Sequence, residues 1–266
     1  MIIILLILIL ILLCKTVETY KSVRDNYKIS ICIPCISRDI PTLPRLLDSI
    51  QNQTYQPYEV VIRISEISNK YRKQLQKEFD KKYNSLTIRL LSSLKKQTAS
   101  QNRNVICENI KGDIISCIDA DDSMHYERCE ILNDLFKKYN SKAILHNFKK
   151  KYNENTYKLS KNPNIYLGSD LYDWCQNSIK KYNSNGALKP NNNIKIRNLH
   201  RGHISFKKEV FKNVKYNTDS KYNRGQDARF IIDLIMHYGK KNDTMLYVTL
   251  PLTQYIVNTS PPKKYQ

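Results

Sequence analysis

The first part of the chain alternates short apolar runs with amphipathic stretches. Runs of apolar residues predict strands, and apolar residues recurring every three or four positions predict helices. The pattern predicts strands at residues 28–34, 59–64, 87–91 and 114–118, separated by helices that begin near Thr42 and that span 70–83 and 98–110. Four alternations of strand and helix predict an α/β fold with a mostly parallel central sheet flanked by helices.

The spacing within these helices predicts which residues face the core. Thr42 is the expected N-cap of the first helix, and Pro44 suits its first turn. The residues predicted to face inward are Leu43, Leu46, Leu47 and Ile50 in the first helix, Tyr71, Leu75 and Phe79 in the second, and Ala99, Ile106 and Ile110 in the third.

The second part of the chain is less regular. Its pattern predicts helices at 126–139, 169–182 and 226–238, and strands at 143–148, 203–206 and 245–250. The segments 149–164 and 183–196 are rich in Lys or Asn and predict exposed loops. Trp174 is expected to anchor its helix in the core, with stacking on a sugar as the alternative.

Residues 1–14 form an apolar segment, followed by a polar linker at 15–28. A membrane-spanning helix needs about 17–25 apolar residues, and about 10–14 is the length found in signal peptides. The segment has no basic stretch before it and no small-x-small cleavage site. We therefore expect a short uncleaved membrane anchor, with a cleaved signal peptide as the alternative. Basic residues after it favour a cytoplasmic catalytic part, with the secretory lumen as the alternative.

The composition narrows the class of partner. Lys and Arg number 44 against 24 Asp and Glu, giving a net charge of +20, which suits an anionic partner. The lysines are scattered, and no zinc-finger spacing or RNA-binding aromatic motif is present, so no nucleic-acid partner is expected. Seven Cys, an odd number, show no disulfide framework. Cys32 and Cys35 flank a strand end, and we interpret them as structural residues.

Three carboxylates end the fourth predicted strand. The apolar run from Ile114 to Ile118 is followed by Asp119, Asp121 and Asp122. Crowded carboxylates repel one another unless a cation lies between them. Mg²⁺ and similar ions bind one or two carboxylates together with substrate phosphates. Since ligands of open α/β sheets bind at the carboxyl ends of strands, this position predicts a metal site for a phosphorylated ligand.

Taken in chain order, several segments resemble the family 2 glycosyltransferases, which have the GT-A fold of the nucleotide-diphospho-sugar transferases. The matching segments are Ile29–Pro34, Leu46–Ile50 with Gln53–Tyr55, Glu59–Ile62, the helix with Ala99, Arg103 and Asn104, Gly112–Asp113, Ile118–Asp122 with its Asp-x-Asp motif, and Gly225–Phe230. They extend over residues 29–240, and their order is more specific than any one of them.

The resemblance implies a metal-dependent transfer of a sugar from a nucleotide-diphospho-sugar to an acceptor hydroxyl, with inversion expected. Residues 29–125 would form the nucleotide-sugar-binding half, residues 126–258 the acceptor-binding half, and 259–266 a polar tail. Mn²⁺ or Mg²⁺ is the implied cofactor. A UDP-sugar is the favoured donor, and a carbohydrate or glycoconjugate is the acceptor.

Roles for individual residues follow from the resemblance. Asp121 is the expected direct metal ligand, Asp119 contacts the donor ribose or the metal, and His203 is a further candidate ligand. Asp227 is the candidate general base. Asp122 either supports the metal site or caps the next helix. The donor side is assigned to Pro34, Ser65, Glu66 and Arg103, with a solvated helix face as the alternative for Arg103.

Two positions depart from the family pattern. The second strand runs into Arg63–Ser68 instead of an Asp-Asp-Gly-Ser turn, which leaves the nucleotide base open. Gln226 stands where the family usually has Glu. These departures favour one alternative, a catalytically degenerate, membrane-associated binding protein. A sugar nucleotidyltransferase is a lesser alternative, because Pro34–Arg38 lacks the Gly-rich loop of that class.

Overall fold

A single mixed sheet organises the part of the chain that the computed structural model describes, which is residues 26–150, 157–179, 203–219, 226–240 and 244–256. Its strands are β1 (Ile29–Ile36), β2 (Glu59–Ser65), β3 (Ile88–Ser93), β4 (Ile114–Cys117), β5 (Ser123–Met124), β6 (Ala143–Lys150), β7 (Ile165–Leu167), β8 (Ser205–Lys207) and β9 (Met245–Tyr255). The α-helices of the same residues are α1 (Leu43–Gln51), α2 (Asn69–Lys82), α3 (Ala99–Asn109), α4 (Arg128–Tyr139), α5 (Gly168–Ile179) and α6 (Gln226–Tyr238).

The sheet is parallel in its first half and mixed in its second. The strand order is β3-β2-β1-β4-β8-β6-β9-β5, and β7 pairs with β9. Strands β3, β2, β1 and β4 are mutually parallel, whereas β8 runs antiparallel to both β4 and β6. The prediction of a mostly parallel sheet is therefore wrong for the second half. Helical crossovers between β1 and β4 impose parallel pairing, and the later strands lack that regular connection.

Helices cover both faces of this sheet. Ile31 and Ile33 of β1 face a cluster that includes the inner residues of α1, α2 and α4. Cys32 faces the opposite cluster, which contains residues of α3, α5 and α6. Each fully buried Ile or Leu contributes about 1.5–3 kcal/mol relative to an exposed one, so these two clusters are the main source of stability. Because both faces are covered, functional groups can gather only at the sheet's ends.

Most predicted inward positions are buried, with two exceptions. Tyr71 is 40% exposed, and Ala99 also lies at the surface, so both assignments are wrong. Tyr71 lies in the first turn of α2, where its backbone N–H donates to the side chain of the N-cap residue Ser68. Trp174 of α5 is buried in the hydrophobic core, as expected for an anchor. Cys32 and Cys35 are buried free thiols.

The starts of α1 and α3 are fixed differently. Thr98 and Gln101 form a capping box at α3, in which each side chain accepts a hydrogen bond from the other residue's backbone N–H. Thr42 occupies the N-cap of α1, but its side chain makes no capping bond. The Thr42 hydroxyl instead contacts the carbonyl oxygens of Asp39 and Ala120, both at 2.7 Å. It thereby joins α1 to the loop after β4.

Several predicted segments lie outside the described residues. They include the membrane segment 1–14, most of the linker 15–28, the loop 183–196 and the tail 259–266. Across the described ranges, no helix is both long enough and apolar enough to cross a membrane. The membrane anchor and the cytoplasmic location stay predictions.

Candidate functional site

The loop that carries the three carboxylates is held to its neighbours by hydrogen bonds to two of its carbonyl oxygens and to the Asp122 side chain. It follows β4 at the carboxyl end of the parallel strands, where a ligand site is expected. Arg45 Nη2 donates to the Asp121 carbonyl oxygen at 2.5 Å, and the Ile256 backbone N–H donates to Asp122 Oδ1 at 2.9 Å. Together with the contact between Thr42 and Ala120, these bonds fix the loop while its carboxylates remain close together.

Asp119, Asp122 and His203 bring potential metal ligands together. Each offers one ligand atom, and these atoms lie within 4.8 Å of one another. His203 Nε2 is 2.9 Å from Asp122 Oδ2 and 3.6 Å from Asp119 Oδ2. Burial alone would lower the pKa of His203, but the nearby carboxylates of Asp119 and Asp122 outweigh it and raise the pKa. Two carboxylates and one imidazole fit a divalent transition metal such as Mn²⁺.

The sequence did not indicate which of the adjacent carboxylates would join His203. Asp122 lies in the cluster and does not cap α4, whose N-cap is Glu127. Asp121 is not a member of the cluster, and its role as direct ligand stays a prediction. Burial and the charges of Asp122 and Asp119 raise the pKa of Asp121 to about 6. A cation bound nearby would relieve that repulsion.

Arg103 joins this cluster to the candidate base. Its Nη2 lies 2.5 Å from Asp119 Oδ1, and its Nη1 donates to Asp227 Oδ1. The side chain has no exposed surface, so the alternative of a solvated helix face is wrong. Burial would lower the pKa of Arg103, yet the charges of Asp227 and Asp119 hold it well above its ordinary value. Sequence spacing gave no sign of this link, because Asp119 and Asp227 are far apart in the chain.

Asp227 is the second residue of α6 and keeps part of its surface open. Its side chain is 32% exposed. Burial raises the pKa of Asp227, and Arg103 opposes part of that rise. A carboxylate with a raised pKa is a better proton acceptor than an ordinary surface Asp. Its neighbour Gln226 is buried.

The predicted donor side lies at the ends of β1 and β2. Pro34 is buried in β1, beside Arg63 of β2, and Ser65 is buried at the end of β2. Glu66 is exposed and has a φ of 66°, a left-handed conformation that is uncommon outside Gly. Strained positions of this kind cluster at ligand sites. The donor-binding roles of these residues stay predictions.

Asn102 contacts the predicted donor side, and sequence reasoning did not identify it. It is fully buried, and its Nδ2 donates to the Cys35 carbonyl oxygen at 3.1 Å and to Ser65 Oγ at 3.5 Å. It thus joins the carboxyl ends of β1 and β2 to α3. Its position next to Arg103 is the signal that could have identified it.

Comparisons with known proteins identify the family and the fold of this chain. A family model described as "Glycosyl transferase family 2" matches residues 30–215. A search of curated proteins found no match. Among solved structures, S. aureus TarS 1–349 in complex with UDP-GlcNAc is 12% identical, with a TM-score of 0.59, covering 90% of this chain and 62% of that one. The same TarS fragment with UDP is 13% identical, with a TM-score of 0.57 and coverage of 86% and 60%.

A mannosyltransferase structure has the same fold. The mannosyltransferase PcManGT from Pyrobaculum calidifontis, in complex with GDP-Man and Mn²⁺, is 14% identical, with a TM-score of 0.53, covering 89% of this chain and 59% of that one. The chain thus spans about three fifths of the length of these structures. At such identities the likeness concerns the fold alone. Because the family model matches well over half of the chain, this protein belongs to glycosyl transferase family 2.

Proposed function

We propose that this protein transfers a sugar from a nucleotide-diphospho-sugar to an acceptor hydroxyl in a metal-dependent reaction, with inversion. The observation that carries the proposal is one connected group of side chains at the carboxyl end of the sheet. In it, the cluster of Asp119, Asp122 and His203 is joined through Arg103 to Asp227. Family membership supports the same activity.

On the donor side, the site must hold a diphosphate and stabilise it as it leaves. Asp119, Asp122 and His203 would hold the metal, and Asp121, whose pKa the charges of Asp122 and Asp119 raise, would be a further ligand. A bound divalent cation supplies Lewis-acid stabilisation of the leaving diphosphate. The hydrogen bonds from Thr42 to the Ala120 carbonyl oxygen and from the Ile256 N–H to the Asp122 carboxylate would hold the loop in place for this role.

On the acceptor side, one carboxylate is sufficient for an inverting displacement. Asp227 would accept the proton of the acceptor hydroxyl as that oxygen attacks the anomeric carbon. Its partial exposure allows access from the surface, and its raised pKa favours proton transfer. A carbohydrate or glycoconjugate hydroxyl is the proposed acceptor.

A UDP-sugar is the favoured donor, and Mn²⁺ or Mg²⁺ the metal. TarS structures contain UDP or UDP-GlcNAc, whereas the mannosyltransferase contains GDP-Man and Mn²⁺, so both bases belong in a test. Glu66 and Ser65 stand where the family places its base-reading carboxylate. The exposed Glu66 side chain is the better candidate for that contact.

The alternative is a catalytically degenerate binding protein of the same fold. Gln226 in place of Glu and the missing Asp-Asp turn favour it. The two proposals differ in what they expect of the metal cluster. An enzyme needs a donor that binds together with a cation, and a degenerate protein does not.

Thermal unfolding of the full chain with UDP, GDP and their sugars, with and without Mn²⁺, tests the donor site. A ligand at 100 times its dissociation constant stabilises by about 2.7 kcal/mol. We expect a melting shift that needs both a nucleotide and Mn²⁺, that is lost in Asp119→Asn, and that persists in Asp134→Asn, a change at an exposed position of α4. The absence of a shift with every nucleotide would reject the donor site and favour the degenerate protein.

A further inference from the structure

We propose that Arg103 is a positioning residue that fixes the metal-cluster carboxylate Asp119 and the base Asp227 relative to each other, and that it does not bind the donor diphosphate. This inference rests on the proposed function. It replaces the role that family resemblance suggests for Arg103, which is contact with the anionic part of the donor.

Arg103 bonds one oxygen of each of two carboxylates. Its two terminal nitrogens contact Oδ1 of Asp119 and Oδ1 of Asp227. The second oxygen of Asp119 points toward His203, at 3.6 Å from Nε2. The second oxygen of Asp227 makes no hydrogen bond or ion pair with any residue that the structure describes. Each carboxylate therefore uses one oxygen for Arg103 and keeps the other for the metal cluster or for an acceptor hydroxyl.

The surroundings of Arg103 hold it in this position. Its guanidinium lies 5.5 Å from the ring centroid of Tyr216, which stacks on Phe230 at 3.8 Å. Asn104 exchanges two hydrogen bonds with the Tyr216 backbone, at 2.9 and 3.0 Å. These contacts fix Tyr216 against α3 and α6, and thereby fix the face on which Arg103 rests.

Burial argues against a donor contact. Arg103 has no exposed surface, so it cannot reach a diphosphate without breaking both of its ion pairs. Breaking a buried pair leaves uncompensated charge, which is strongly unfavourable. A planar guanidinium can bond two carboxylates at a set angle, and a lysine ammonium cannot reproduce that geometry. The arrangement therefore suits an orienting role.

Positioning and donor binding predict different kinetics. Loss of an orienting residue moves the base Asp227 relative to the metal cluster, and misplacement by about 1 Å can lower the rate about 100-fold. Donor affinity is then largely kept. Loss of a donor ligand instead raises the KM for the donor. The change in kcat compared with the change in donor KM therefore distinguishes positioning from donor binding.

The test compares Arg103→Met and Arg103→Lys with wild type in a transfer assay with Mn²⁺ and a nucleotide sugar. Arg229→Met is the control, because Arg229 lies on the same helix as Asp227 but is 48% exposed and pairs only with Asp233 among the described residues. We expect kcat of Arg103→Met to fall about 100-fold with donor KM unchanged. Arg103→Lys should give an intermediate kcat, and the control should match wild type.

A double variant shows whether Arg103 acts through Asp227. In the Asp227→Asn background, Arg103→Met should lower kcat far less than it does in wild type, because residues that act as a unit are not additive. A raised donor KM with kcat unchanged, or fully additive losses, would overturn the inference. Should Arg103→Met fail to fold, the split between kcat and KM in Arg103→Lys decides the question.

The outcome for wild type separates this inference from the proposed function. An inactive wild type, tested with all the nucleotide sugars, would remove both. An active wild type whose Arg103 variants lose donor affinity alone would remove only the positioning role.

Discussion

Glu59 is a buried carboxylate whose contacts determine how much its substitution should lower the free energy of unfolding. It begins β2, and its carboxylate is only 1% exposed. Oε1 accepts hydrogen bonds from Ser30 Oγ at 2.9 Å and from the Lys111 backbone N–H at 2.5 Å, and Oε2 accepts one from Arg89 Nη1 at 2.6 Å. One side chain thus connects β1, β2, β3 and the turn before β4, at the opposite end of the sheet from the site.

Glu59→Gln keeps the shape and removes the charge. An amide has only one acceptor oxygen, so its NH₂ group must face either Arg89 or the Lys111 N–H, and both are donors. One charge-assisted bond, worth about 1.5–3 kcal/mol, is lost and the remaining ones weaken. We expect a loss of about 3 kcal/mol in the free energy of unfolding at pH 7. Glu78→Gln, on the exposed face of α2, should change it by less than about 0.5 kcal/mol.

The pH dependence supplies a second check. Burial would raise the pKa of Glu59, but the hydrogen bonds from Lys111, Arg89 and Ser30 lower it from 4.5. A lowered folded pKa gives stability that is present above the unfolded pKa and is lost as pH falls through the folded value. The gap between wild type and Glu59→Gln should therefore narrow below a pH of about 4.5. Urea titrations from pH 7 to pH 3 measure it, and a gap that stays constant would refute this reasoning.

Three further predictions concern the metal, the thiols and the N-terminus. Because the pKa of His203 is raised, Mn²⁺ binding must displace a proton, and the affinity of the protein for Mn²⁺ should fall as pH drops through that pKa. Calorimetry in two buffers should detect the released proton in wild type and should not detect it in His203→Gln. In a Cys14→Ser variant, Ellman's reagent should react with the six remaining thiols only on unfolding, and rapid reaction of the folded variant would contradict their burial: Cys32, Cys35, Cys107, Cys117, Cys129 and Cys175. Deleting residues 1–14 should move the protein from the membrane to the soluble fraction, and an unchanged distribution would reject the predicted anchor.

The sequence was sufficient for the first half of the fold because its signals are local. Strands β1 to β4 and their helices follow from runs of apolar residues, and the capping box of Thr98 and Gln101 fixes the start of α3. The second half was harder, since β7 has three half-buried residues and β8 has three residues in all. Strands that short leave no clear period, and their direction depends on distant partners.

The candidate site was likewise predictable from the sequence only in part. The carboxylates after β4 were readable because an apolar run stops at them. The clustering of His203 with Asp119 and Asp122 was not, because it depends on a backbone turn and on a contact between Asp119 and His203, which are 84 positions apart in the chain. The burial of Arg103 was hidden as well, since α3 presents a buried charged residue next to apolar positions. Long-range ion pairs of this kind carry no sequence period.

The most direct measurement is the release of nucleoside diphosphate from a nucleotide sugar by wild type and by Asp227→Asn, with Mn²⁺ and a panel of glycan acceptors. We expect metal-dependent, acceptor-dependent release by wild type. Asp227→Asn should show the same melting shift with donor but release nucleoside diphosphate about 10²- to 10⁴-fold more slowly, the usual contribution of a general base. Equal release by the two proteins, or none from wild type with any donor, would contradict the proposed mechanism.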